Sequence, residues 1–331
     1  MRRFNVAGHD CIGEDFCVSN DFESALEGLL GKKDWMSILL AEEPTSAGSA
    51  APIRQFMLAM REHEPMLPEL TERLADQIIG YCLPRKRLLK AIKDSGGNPN
   101  DLSSAMASLR REARQAFQQY REDFPARSGE GGELLAYVFT EHFLRAPMAV
   151  AKMHTKTNAN MPVFGADGIH VRYASDTATL EVFYLESKVH GGLSSAARDA
   201  AKSMGDLVNG GQRGRELRLA LDFGNFDHMD EAAQQALEDF LDPYGSKTAS
   251  RRDRHVCLIA YSESAYKSKD IPVDMDAVRA KFRSKCKDRT TCVEAAYAGN
   301  KLPTDKITTY VVGFPSVANF RLAFERALSN G

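Results

Sequence analysis

The chain is poor in the features that mark several large protein classes. One tryptophan, Trp35, occurs in 331 residues, and the six cysteines at positions 11, 17, 82, 257, 286 and 292 are scattered with no CxxC pair. Cysteines so placed argue against a zinc ribbon or finger. No apolar run approaches the roughly 20 residues that cross a bilayer, and no secretory leader is recognisable. A cytoplasmic protein with reduced thiols and no membrane attachment is therefore expected. There is no G-x-x-x-x-G-K-S/T phosphate loop, so the chain should not hydrolyse ATP itself. Neither a GxSxG nucleophile elbow nor an HExxH zinc helix occurs. Gly8 to Gly13 form no dinucleotide fingerprint, and no internal repeat is present. An excess of one charge is also lacking: 43 Lys and Arg face 45 Asp and Glu, a formal net charge of −2. No whole-molecule field draws such a chain onto nucleic acid, and any binding of that kind must use local patches.

What is present is a globular composition, 43% hydrophobic and 27% charged, at a length that suits one large domain or two ordinary ones. The most informative stretch is Phe164 to His190, FGADGIHVRYASDTATLEVFYLESKVH. Gly165-Ala166-Asp167-Gly168 reads as a tight loop, because glycine tolerates backbone angles that other residues avoid. Ile169 to Tyr173 reads as a strand, Ala174 to Ala178 as a polar turn, and Thr179 to Val189 as a longer strand rich in β-branched and aromatic residues. Side chains two apart share a face. Leu180, Val182, Tyr184, Glu186 and Lys188 therefore line one side, and Glu181, Phe183, Leu185, Ser187 and Val189 the other. Apolar residues on both sides predict a strand covered on both faces.

The hairpin brings Asp167 back to the end that carries Glu186 and Lys188. Two close carboxylates repel unless a proton or a cation lies between them. Oxygen ligands favour a hard cation such as Mg²⁺, with Mn²⁺ as a substitute. Lys188 would then touch a metal-bound water or a phosphate oxygen, an arrangement suited to metal-assisted phosphodiester hydrolysis. Without a cation, Glu186 and Lys188 would pair with each other or with neighbouring charges as a structural network.

Asp167…Glu186-Ser187-Lys188 resembles the D…(E/D)-x-K signature of the restriction-endonuclease-like PD-(D/E)xK nuclease superfamily, with Ala166 where the nominal proline stands. The pair Gly-Ala-Asp-Gly-Ile-His (165–170) and Glu-Ser-Lys-Val-His (186–190) resembles the nuclease domain of HamA-type effectors of Hachiman antiphage defence systems, over residues 130–330. The resemblance implies a restriction-endonuclease-like core and a metal-dependent nuclease acting on DNA. It also implies a partner helicase of the same defence system that holds the effector in check and activates it. Asp167 and Glu186 would bind Mg²⁺, with the Ser187 backbone carbonyl as a further ligand. Lys188 would position or polarise the attacking water and stabilise the transition state. An acid on the helix before the hairpin often joins such sites. Glu133 is that candidate, against its reading as a first-turn acid that favours the helix dipole; Glu141 is a weaker one. The residues alone would allow RNA as the substrate equally well, and a non-catalytic helicase-binding scaffold is the competing class.

The remaining chain divides at Pro125 to Gly132 (PARSGEGG), a short Gly-rich hinge or loop. Residues 1–125 form a mainly helical region with no catalytic motif, the natural candidate for partner docking; residues 130–331 form the nuclease-like domain. In the first region, Asp21 to Ala41, Ile53 to His63 and Leu67 to Leu83 read as helical, and Glu42 to Pro52 as a loop. Leu102, Met106, Leu109, Ala113, Phe117 and Tyr120 give one apolar helical stripe. Arg85-Lys86-Arg87 and Arg110, Arg111 and Arg114 read either as solvated faces or as contacts to a nucleic-acid backbone or a partner.

In the second region, Glu133 to Leu144 predicts a helix with a buried side of Leu134, Leu135, Val138, Phe139 and Phe143, beside which His142 packs. Met148 to Met153 reads as a first strand, with Lys152 and Lys156 as surface lysines. Ser194 caps a helix to Val208 whose small side is Ala197, Ala200, Ala201 and Met204. Its Arg198 and Lys202 are candidate phosphate contacts or a solvated basic edge. Glu216 to Phe223 fits strand or helix. Met229 to Leu241 predicts a helix, Lys247 to Arg254 a basic polar segment, and Val256 to Tyr261 a strand. Asp274 caps a helix, Ile307 to Phe314 reads as a strand, and Ser316 to Leu328 as the closing helix. The order is that of an α/β fold with a mixed sheet flanked by helices.

Overall fold

The computed structural model describes residues 20–43, 52–123, 129–150, 166–209, 213–226, 229–242, 250–267 and 274–330. Its elements begin with α1 (Asn20–Glu27), α2 (Trp35–Leu39), β1 (Leu40–Glu43), β2 (Ile53–Leu58) and a small ribbon of β3 (Met60–Arg61) and β4 (Glu64–Pro65). Four helices follow: α3 (Leu67–Ala75), α4 (Ile78–Cys82), α5 (Arg85–Asp94) and α6 (Pro99–Asp123). Next come α7 (Glu130–Leu144) and the hairpin of β5 (Gly168–Ala174) and β6 (Thr179–His190). The chain continues through α8 (Leu193–Asn209), α9 (Arg213–Phe223), α10 (Glu231–Leu241) and β7 (Arg251–Ser262). It ends with α11 (Met275–Ser284), α12 (Cys286–Gly299), β8 (Ile307–Phe314) and α13 (Val317–Asn330).

Six strands form one sheet in the order β1-β2-β8-β7-β6-β5. The inner four are parallel, and β1 and β5 close the two sides antiparallel. This is the mixed sheet flanked by helices that the alternation of elements predicts. Parallel strands covered on both faces need continuous apolar runs; Val256 to Ala260 and Tyr310 to Phe314 are buried without a break. One face carries α3, α4, α6, α7 and α13 around Phe56, Phe183, Leu185, Leu258 and Tyr310. The other carries α1, α8, α9, α10 and α12 around Val182, Tyr184, Cys257, Ile259 and Val311. The small side of α8 faces the sheet, with Ala196, Ala197, Ala200, Ala201 and Met204 buried. Asp274 caps α11 by accepting from the backbone N–H groups of Asp276 and Ala277.

Several local expectations are corrected. Ile53 to His63 does not form a helix: Ile53–Leu58 is β2, paired antiparallel with β1 and parallel with β8. Apolar residues at 53, 56 and 57 fit helical spacing, but both flanks of this backbone are claimed by distant strands. Asp21 to Ala41 is two short helices and the start of β1 rather than one helix. Met148 and Val150 make only isolated bridges, to His170 and Gly224, instead of a strand. The rest of that segment, with Lys152 and Lys156, lies outside the described residues, as does most of the Glu42 to Pro52 loop. The basic segment before Val256 belongs to β7, which starts at Arg251. The undecided Glu216 to Phe223 is helical. Helix α7 is buried on every side from Gly132 to Glu141 instead of along one apolar side, because helices lie on its outer surface as well. Its polar residues are served internally: Glu141 pairs with Lys33 at 2.5 Å and accepts the Met148 N–H at 3.2 Å. Thr140 donates to the Ala136 carbonyl.

Gly132 is where α7 meets β6. A Cβ there would stand 2.4 Å from Val189 Cγ2 and 2.6 Å from Ser187 Oγ. Gly132→Ala is expected to destabilise by about 1–3 kcal/mol, although alanine would gain about 1 kcal/mol of helix propensity. An unchanged urea midpoint would show that helix and strand part freely. Lys33→Met strands the Glu141 carboxylate in the interior, with both side chains of the native pair only 2% exposed. The expected loss is about 3–5 kcal/mol, and a loss below about 1 kcal/mol in the same titration would show that Glu141 is not held dry.

Candidate active site

The alternation along β6 fixes which way each candidate side chain turns. Phe183, Leu185 and Val189 enter the core beneath α7, while Leu180, Val182 and Tyr184 enter the one beneath α8. Glu186 and Lys188 continue the α8 side, and Ser187 turns toward α7. Glu186 is buried and forms a very close ion pair with the partly exposed Lys188. Burial pushes the Glu186 carboxyl up; Lys188 and the Ser203 hydroxyl of α8 oppose the rise, and Glu133 adds to it. Burial alone would weaken the charge on Lys188, but Glu186 and then Asp167 outweigh it, and the ammonium is held above its ordinary pKa.

Asp167 extends the hairpin by one residue. Its backbone N–H donates to the Leu185 carbonyl at 2.7 Å, and its Oδ2 accepts the Ser187 N–H at 2.8 Å. The N–H and C=O of a strand residue point to the same flank. The Ser187 carbonyl therefore lies on the flank of β6 where Asp167 stands, just past the start of β5. Glu133, in the first turn of α7, accepts a hydrogen bond from the Tyr81 hydroxyl of α4 at 2.9 Å. Tyr81 is pushed well above its ordinary pKa by burial, then by Glu133 and Asp167. Asp167, Glu186, Lys188 and Glu133 thus share one electrostatic neighbourhood.

Among the described residues, no group of three His, Cys, Asp or Glu side chains could hold a metal ion by itself. The donors at hand are carboxylate and carbonyl oxygens. Such a set suits a hard cation that keeps several waters and does not suit zinc.

Other candidates fall elsewhere. Glu141 belongs to the Lys33 pair, away from this centre. His142 stacks edge-on against Phe143, with its pKa lowered by burial. His170 is buried, pushed down to about 4 by desolvation, with Nδ1 on the Ala146 carbonyl at 2.8 Å. His190 faces Asp199 of α8 at 3.4 Å. Arg198 and Lys202 are exposed on α8. Arg85 is a structural pin, donating to the carbonyls of Asn225 and Leu29. Arg87 pairs with Glu112, and Arg110 with Asp76. Three neighbours of the centre had no sequence signal: Tyr81, Ser203 and Cys257. Cys257 lies opposite Glu186 on β7, and burial pushes its thiol up to about 12.

Among the described residues, no helix is long and apolar enough to cross a membrane. A comparison with curated proteins finds no match. A family model described as HamA matches residues 34–328, from α2 into α13, and takes in Glu133, Asp167, Glu186 and Lys188. The chain therefore belongs to the HamA family, and with it to Hachiman antiphage defence.

Proposed function

We propose that the protein is a metal-dependent nuclease of antiphage defence with a restriction-endonuclease-like core, cutting DNA under the control of a partner helicase. The observation that carries this reading is the meeting of Asp167 and Glu186 around the Lys188 ammonium, just before β5 begins, where the flank of β6 opens. Asp167, Glu186 and the Ser187 carbonyl would hold Mg²⁺ (or Mn²⁺), with Glu133 joining directly or through water. Bound there, the cation would supply Lewis-acid stabilisation of the phosphoryl oxygens and a more acidic water. The chain's own residues do the rest. Asp167 is fixed by the Ser187 N–H and needs no rearrangement to face a phosphate. Lys188 orients the attacking water and stabilises negative charge developing on the phosphate. Tyr81 keeps Glu133 turned toward the centre. Arg198 and Lys202, exposed on α8, would take flanking phosphates. Residues 1–125 would supply the helicase-docking surface.

A second reading has one observation in its favour: Glu186 and Lys188 close on each other. On that reading the pair is structural and the chain is a non-catalytic scaffold for the helicase.

Cleavage of supercoiled plasmid, linear duplex and RNA with Mg²⁺, with and without the helicase and ATP, separates these readings. Lys188→Ala and Glu186→Gln are expected to lower cutting by at least about a hundredfold, with the circular dichroism of the wild type retained. Folded wild type that cuts none of these substrates would leave the scaffold, and cutting of RNA alone would replace the DNA substrate. With a net charge of −2, the isolated chain is expected to bind DNA weakly at physiological salt. Tight binding that persists through a salt titration would contradict that.

A further inference from the structure

The arginines that open β7 take no part in the proposed reaction. Arg251 turns to Asp253 and the Phe240 carbonyl. Arg252 and Arg254 turn to the opposite face and meet Glu181, the third residue of β6. In register, Glu181 lies beside Arg252 on one flank and Arg172 of β5 on the other. Arg172 grips Glu181 with two guanidinium nitrogens and donates a third to the Leu144 carbonyl at the end of α7. Arg254 donates Nε to Glu181 at 3.2 Å. Arg252 approaches the same carboxylate only to 3.7 Å and makes no hydrogen bond within the described residues.

Three guanidinium groups thus surround one carboxylate, which is 5% exposed, while Arg252 remains 47% exposed. Two positive charges are left over on the sheet, and among the described residues one complete fork of donors is open. Guanidinium forks match carboxylates two bonds at a time. Arg252 and Arg254 are two residues apart on one strand, about 6.6 Å, which is also the spacing of alternate side chains in an extended peptide. The cluster lies five residues from Glu186 along β6, about 17 Å, and on the other face. A nucleic-acid strand seated at Lys188 would not cross it. The patch is also narrow: exposed Asp305 borders it, its carbonyl accepting from Arg254. A continuous polyphosphate suits such a surface less well than spaced carboxylates.

We propose that Arg172, Arg252 and Arg254 form a docking surface for an acidic, extended segment of a partner protein, whose carboxylates take the guanidinium donors that Glu181 leaves open. This site is independent of the nuclease reading. Its test is fluorescence anisotropy at low salt with a labelled peptide of alternating Glu and Ser, a Lys and Ser counterpart, and a DNA oligonucleotide. The acidic peptide is expected to bind the full chain and to be released by salt; the basic one is not. Arg252→Gln should weaken binding about tenfold, and Arg252→Gln with Arg254→Gln should weaken it further. Lys188→Ala should leave it unchanged. Because Arg252 makes no hydrogen bond among the described residues, its single variant is expected to fold, and a thermal melt checks this. Equal affinity of wild type and folded Arg252→Gln would overturn the proposal, as would failure of the acidic peptide to bind. Loss of oligonucleotide binding in Arg252→Gln without any peptide binding would overturn it in favour of a nucleic-acid surface.

Discussion

Helix α7 can lie against β6 only because position 132 has no side chain. That approach sets the rest of the molecule. It presses α7 into the sheet deeply enough that other helices can cover its outer side, which is why the helix is buried all round. It also places the first turn of α7, with Glu133, beside the end of β6 where Asp167, Glu186 and Lys188 gather. The same closeness leaves the Ser187 Oγ buried without a hydrogen-bond partner among the described residues, a local penalty that the tight packing outweighs.

The interior acids separate into two kinds. Glu43 is paired with Arg279 and Arg283, Glu141 with Lys33, and Glu263 with Arg289. Each pair joins segments far apart in the chain, so breaking it would loosen two parts of the fold at once. Glu186 instead pairs with Lys188 on its own strand, two residues away. That pair ties nothing together, and opening it would disturb only its own corner. The counter-charge of Glu186 is thus local to its own strand.

Much of this arrangement is legible in the sequence where the signal is local. The hairpin is written in the β-branched run after Thr179 and in alternation that puts Glu186 and Lys188 on one side; Gly165 of the loop before it lies outside the described residues. The small face of α8 is equally plain from its alanines. What is illegible depends on distant partners. Ile53 to Leu58 has helical spacing and becomes a strand because β8, some 250 residues later, takes one flank of it. Arg251 to Arg254 reads only as part of a basic polar segment because nothing nearby reveals that Glu181 awaits Arg252 and Arg254. Tyr81 reaches Glu133 from a different region, and no window around residue 81 contains that fact.

The position of β8 has a consequence for how the molecule comes into being. It follows the other strands of the sheet among the described residues, yet it lies between β2 and β7, so the sheet contributions of residues 40–58 and 168–262 do not touch until it inserts. A ribosome releases the chain from its N-terminus, and β1 and β2 must wait until β8 has been made. Long-range parallel pairing of this kind is slow to form. The centre at the end of β6 therefore gains the full sheet that supports it only after β8 has emerged. An unfinished chain carries the acids and the lysine without the framework that holds them in place.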